Sequence, residues 1–164
     1  MGCGTGQLVH RLVDRFPDAW VLGVDLSAGR LAEAADRLGP VPSDRWALVR
    51  ADAERLPVRS ASVDVVVCTE SFHWYRHQGP VLEGLANVVR PDGRLLIASI
   101  ATVTENGERL LRRLTRYGGR PIRAVSPARL RRLLNPAGFE VLNQQRIPRL
   151  GPGAWPVLTE ARRR

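Results

Sequence analysis

Short apolar runs alternate with amphipathic helical segments through the first hundred residues, and nothing else in the chain limits its fold as tightly. Residues 5–16 put Leu8, Leu12 and Val13 on one helical face, and Pro17-Asp18 ends the pattern. Residues 19–24 form an apolar run closed by an acid, Asp25, and predict a buried parallel strand. Ser27 is placed to cap a helix through Leu38 with Leu31, Ala34, Ala35 and Leu38 on its inner face, and Gly39-Pro40 stops it. A second strand over 46–50 again leads to an acid, Asp52. The most apolar strand, 63–69, follows a loop containing Leu56-Pro57. A helix over 79–89, a turn at Pro91-Asp92-Gly93 and a strand over 94–100 complete the series. Such alternation predicts an α/β fold, a mostly parallel sheet with helices on both faces.

After Ala101 the pattern changes. Residues 105–117 predict an Arg-rich amphipathic helix with Leu110, Leu111 and Leu114 as its apolar stripe. Ser126-Pro127 is an N-cap with proline at the first helical position, opening a helix to about residue 134. Residues 139–147 and 155–161 predict an antiparallel hairpin turned at Gly151-Pro152-Gly153. The 164 residues contain no repeat, low-complexity tract or linker, so one domain is expected.

The net charge of +9 is unevenly placed. Residues 1–100 hold 11 Arg against 12 acids, whereas 101–164 hold 14 Arg against 4. Every basic residue is Arg, a bias typical of GC-rich coding, so the excess is read as a solvated face rather than a nucleic-acid surface. No apolar run approaches the roughly 20 residues that span a bilayer. No secretory signal is visible, and the two cysteines, Cys3 and Cys68, form neither a disulfide framework nor a metal pattern. The expected setting is cytoplasmic; the oligomeric state is not legible.

Three features along this framework carry chemistry. Gly2, Gly4 and Gly6 alternate immediately before the first helix, where glycine permits a sharp turn and close approach of a ligand to the backbone. Asp25 stands 19 positions after Gly6 at the end of the next strand, the usual place for a carboxylate that accepts hydrogen bonds from ribose hydroxyls. Asp52 ends the following strand on the same edge. A dinucleotide loop is the competing reading, but the spacing is G-x-G-x-G, position 9 is Val, and Asp52-Ala53 is left without a role.

These residues resemble the class I S-adenosylmethionine-dependent methyltransferases, in particular their small-molecule, type 11-like members. Gly2-Cys3-Gly4-Thr5-Gly6 resembles the family's first motif, Val24-Asp25-Leu26-Ser27 its second, and Asp52-Ala53-Glu54-Arg55-Leu56-Pro57 the segment that holds adenine. Ser62-Val63-Asp64-Val65-Val66, Arg90-Pro91-Asp92-Gly93-Arg94-Leu95 and Ala137-Gly138-Phe139 resemble later elements in the right order. The resemblance implies a Rossmann-like three-layer sandwich and S-adenosyl-L-methionine as cofactor, with in-line methyl transfer to a small-molecule acceptor. Residues 1–100 would be the cofactor-binding half, 101–136 the substrate-side helices and 137–164 the hairpin. The loop residues Gly2, Cys3, Gly4 and Gly6 would face the methionine portion, and Asp25 the ribose. Leu26 would pack on adenine, Asp52 and Ala53 would read its edge, and Thr69 and Glu70 would line the wall near the sulfonium.

His73, in Ser71-Phe72-His73-Trp74-Tyr75, is the candidate general base. The favoured alternative is that it orders this loop through a hydrogen bond while Trp74 packs beneath it. His10 and His77 read as surface residues. Arg109, Arg112, Arg113, Arg116, Arg120 and Arg123 lie where the family builds substrate specificity. Their candidate ligand is a carboxylate-bearing acceptor, as in the trans-aconitate type, against the alternative of a solvated helix face. The resemblance also implies an apolar strand before the glycine loop, ending in an acid, where this sequence has only Met1. Strands lie about 4.8 Å apart, so a missing central strand would leave a gap of roughly 10 Å. A misassigned start, a truncated product and a strand donated by a partner all account for this, and the first is favoured. The functional alternative is a non-catalytic remnant or binding module.

Overall fold

The computed structural model describes residues 1–101, 106–108, 116–117, 120–147 and 156–164. The chain forms two compact units, 1–57 and 58–164.

In the first unit, α1 (Gln7–Arg15), β1 (Val21–Asp25), α2 (Ala28–Leu38) and β2 (Trp46–Arg50) follow in order. β1 and β2 pair in parallel, from Val21 opposite Trp46 to Asp25 opposite Arg50. The core is Val9, Val13 and Leu38, with Cys3, Val21, Val41, Trp46 and Leu48 packed around it. Val9 and Val13, four residues apart on one helix face, are the buried pair of α1, whereas Leu8 and Leu12 are half-buried. The helix ends where expected because Arg45 Nη2 donates to the carbonyl oxygens of Val13 (2.8 Å) and Phe16 (2.7 Å). Ser27 caps α2 by accepting the Arg30 N–H, and Ala34 and Leu38 are its buried residues.

In the second unit, β3 (Val63–Thr69) leads through a 3₁₀ turn (Phe72–Trp74) into α3 (Gln78–Val88) and β4 (Val89–Ile100). Two short strands, β5 (Arg116–Tyr117) and β6 (Arg120–Pro121), precede α4 (Pro127–Leu134), β7 (Phe139–Arg146) and β8 (Pro156–Arg163). The four-stranded sheet has the order β3-β4-β8-β7, with β3 and β4 parallel and β8 antiparallel to both neighbours. The expected hairpin is thus β7–β8, with β8 inserted beside β4; its turn at 151–153 lies outside the described residues. α4 packs against α3 and β7, and Leu82, Leu85, Leu95, Leu134 and Phe139 are fully buried.

Two expectations change. The helix expected over 105–117 is helical at 106–108, but Arg116–Tyr117 pairs antiparallel with Arg120–Pro121. Gly118-Gly119 is the reason legible in the sequence, because two glycines favour a two-residue hairpin connection over a helix. Pro91-Asp92-Gly93 falls within β4, as an irregularity in its register with β3 where Asp92 takes a φ of 62°.

Candidate functional site

The glycine loop shows why its residue types are required. Gly2, Gly4 and Gly6 all have positive φ, at 62°, 55° and 77°, a region open to glycine at little cost. A Cβ on Gly6 would lie 2.8 Å from the Cβ of Ala34, so α2 packs directly on loop backbone. Arg37 Nε donates to the Thr5 carbonyl at 2.8 Å, which fixes the loop to α2 from the same side. Cys3 N–H donates to Val24 O at 2.9 Å, tying the loop to β1. Gly23 leaves the space that Cys3 Sγ and Val9 use.

Asp25, at the carboxyl end of β1, organises the same loop. Its Oδ2 accepts the Gly4 N–H at 2.8 Å and its Oδ1 the Ser27 N–H at 3.0 Å. A single carboxylate therefore joins the loop to the N-terminus of α2, and each oxygen keeps a lone pair for a further donor. Leu26 beside it is 56% exposed and so presents apolar surface next to the Asp25 carboxylate. Asp52 follows β2, is exposed, and accepts the Glu54 N–H through Oδ1 at 3.0 Å; Ala53 is buried. Burial, with Asp25's charge second, pushes the Cys3 thiol up, so it stays a neutral packing group.

In the second unit the corresponding strand ends carry side chains. Thr69 is half-buried and Glu70 exposed. Glu70 has a φ of 55°, a strained conformation for a residue with a Cβ, and its N–H donates to Ala98 O at 2.9 Å. His73 is buried, with Nδ1 3.2 Å from Ser99 Oγ at the end of β4 and its ring tilted against Trp74 at 4.8 Å. Burial lowers its pKa from 6.5 to about 4, so the imidazole is neutral at neutral pH. Cys68, Ser71 and Tyr75 form a hydroxyl and thiol cluster of their own, with Cys68 Sγ 3.0 Å from Ser71 Oγ.

A family model for the methyltransferase domain matches residues 1–97, more than half of the chain. The chain belongs to the class I methyltransferases. A malonyl-[acyl-carrier protein] O-methyltransferase of Hahella chejuensis is 38% identical over 104 residues, which are 63% of this chain and 36% of that protein. A trans-aconitate 2-methyltransferase of Methylobacterium nodulans is 32% identical over 114 residues, covering 70% of this chain and 42% of that protein. The chain thus matches little more than a third of the length of these curated relatives. Among solved structures, the Burkholderia thailandensis 1,6-didemethyltoxoflavin-N1-methyltransferase, with 1,6-didemethyltoxoflavin and S-adenosylhomocysteine bound, superposes with a TM-score of 0.76. It is 22% identical and covers 99% of this chain and 68% of that one, so it shows the fold.

Within this methyltransferase domain, unit 1 brings together the loop glycines, Asp25 and Leu26, and unit 2 brings His73 together with Ser99. The sequence pattern put Ala34 on the inner face of α2 but gave no sign that it packs on Gly6, and it carried no signal for Arg37, Ser99, Gln78 or Glu108. Of the arginines proposed for a substrate, Arg109, Arg112 and Arg113 lie outside the described residues; Arg116 and Arg120 are placed as strand backbone, and Arg123 is half-buried. Among the described residues no group of three or more His, Cys, Asp or Glu is placed to hold a metal ion, and no helix is long and apolar enough to cross a membrane.

Proposed function

We propose that this domain binds S-adenosyl-L-methionine and transfers its methyl group to a carboxylate-bearing small molecule. The observation that carries the cofactor assignment is the Asp25 carboxylate joined to the Gly4 and Ser27 N–H groups beside three left-handed glycines. These residues fit the cofactor. Gly2, Cys3, Gly4 and Gly6 offer backbone to its methionine part, Asp25 has acceptor capacity for ribose, and exposed Leu26 is the apolar surface for adenine. Asp52 and Ala53 would read the base edge. The bound group would supply a methyl carbon activated by a positive sulfur, so positioning of the acceptor provides most of the remaining rate.

Neutral His73 supports the choice of acceptor. A histidine with a pKa of about 4 is a weak base at neutral pH. It suits an acceptor that is already ionised, such as a carboxylate, and it acts by ordering its loop through Ser99. The relatives named for malonyl-carrier-protein and trans-aconitate methylation support the same acceptor chemistry. Free Cys3 and Cys68 suit a reducing, cytoplasmic setting.

The test is methyl transfer from radiolabelled S-adenosylmethionine to a panel of small organic acids that includes trans-aconitate, alongside matched amines and phenols. Base-labile label on the acids is expected. Label on amines alone would sink the carboxylate assignment.

A further inference from the structure

Residues 122–126 run without regular structure, yet Ala124, Val125 and Ser126 are buried. Buried backbone outside a helix or sheet must find its hydrogen bonds elsewhere. Here they come from three separate segments. Arg123 N–H donates to His73 O at 2.8 Å. Arg123 O accepts from Gln78 Nε2 at 2.9 Å, and the same nitrogen donates to Phe72 O at 3.2 Å. Ser126 N–H donates to the Glu108 carboxylate at 2.5 Å.

Glu108 completes a helix cap from a distance. In a local capping box the third helical residue is a glutamate that takes the N–H of the cap residue. In α4 that position is Arg129, which cannot accept, so remote Glu108 takes the Ser126 N–H while Arg129 Nη1 pairs with its other oxygen at 2.6 Å. Gln78 is equally specific. Its amide NH₂ has two donors, and each is used on a carbonyl oxygen, one from the His73 turn and one from the strip.

We propose that Gln78 is a positioning residue for the acceptor side of the methyltransferase, its carboxamide locking the His73 turn to residues 122–126 while Glu108 holds the far end of that strip. The acceptor role rests on the proposed function; the lock itself does not. The turn and the strip form one wall at the carboxyl ends of β3 and β4, the edge where open α/β sheets take their ligands. Ser99 fixes the His73 ring from β4, the Arg123 N–H donates to the His73 carbonyl and Gln78 to the Phe72 carbonyl before it, and loss of the amide opens the wall to water on the His73 side.

NMR titration of the His73 ring tests this, with His73→Gln assigning the signal. In Gln78→Leu the His73 midpoint is expected to rise by about one unit or more toward its ordinary value as the ring gains water. Glu108→Gln, which keeps an acceptor for Ser126, is expected to move it less. A Gln78 that only stabilised the fold would lower Tm and leave the His73 midpoint of the folded protein in place, which would overturn the proposal. Amide exchange of the unmodified protein gives a second measurement if Gln78→Leu does not fold. Arg123 and Ser126 N–H groups protected as well as those of β3 support the lock, and exchange at loop rates overturns it. Binding of S-adenosylhomocysteine to the same samples reports separately on the cofactor assignment, so the two can fail independently.

Discussion

The two units build their functional edges from different materials. In unit 1 the edge is backbone: three glycines at positive φ, held by Asp25 to the start of α2, with α2 packed so closely that Gly6 has no room for a Cβ. In unit 2 the edge is a set of buried polar side chains, His73, Ser99, Gln78 and Glu108, each hydrogen-bonded to a segment far away in sequence. A backbone edge tolerates no added atoms but makes few demands on pH. A buried polar edge tolerates changes of shape better than loss of a partner, and it is sensitive to protonation.

The largest effect should come from adding atoms to the backbone edge. Gly6→Val places a branched Cβ against Ala34 at φ 77°, and the strain and overpacking together are expected to cost about 2–5 kcal/mol. Denaturant unfolding would show the loss, and a variant as stable as the parent would break the account of unit 1.

Protonation should separate the edges next. The folded His73 pKa of about 4 lies below its ordinary 6.5, so the unfolded chain takes up a proton first as pH falls. The stability associated with neutral His73 is present above pH 6.5 and is lost as pH drops toward 4, by about 3 kcal/mol. Stability measured across this window in His73→Gln should be nearly flat, and an unchanged slope would contradict the burial of a neutral ring. For Glu108, burial pushes the carboxyl up, but the Ser126 N–H and the Arg129 guanidinium outweigh it and hold the group below the usual carboxylate range. Its contribution is therefore present above about pH 4.3 and is lost as pH falls through the lower folded value. Glu108→Gln should cost about 1–3 kcal/mol at neutral pH and abolish that acid-side loss, as acid titration of stability would show.

The same contrast explains what the sequence revealed. Gly2, Gly4 and Gly6 announce a site because no other residue takes their conformation cheaply, and Asp25 is legible because it closes the next apolar run 19 positions after Gly6. Ser126-Pro127 fixed the start of α4 by local chemistry. Gln78 and Glu108 carried no such signal, since an amide donating to carbonyls 6 and 45 residues away obeys no local spacing. Arg116–Tyr117 pairs with Arg120–Pro121 where the leucine spacing favoured continued helix, as Gly118-Gly119 in the sequence favours a turn, and β8 entered the sheet beside β4 by long-range pairing.

The smallest effect sharpens the comparison from the exposed side. Leu26 touches solvent, so Leu26→Ala should change stability by less than about 0.5 kcal/mol while weakening S-adenosylhomocysteine several-fold. Equal affinity in the variant would remove Leu26 from the adenine site.

The central claim is that unit 1 is a cofactor site organised by Asp25. Isothermal titration of the 164-residue chain with S-adenosylhomocysteine tests it most directly, with Asp25→Ala as the comparison. The account predicts micromolar binding that falls on the order of 100-fold in the variant, the scale of losing charged hydrogen bonds. No heat of binding to the parent chain, or equal affinity in Asp25→Ala, would contradict it.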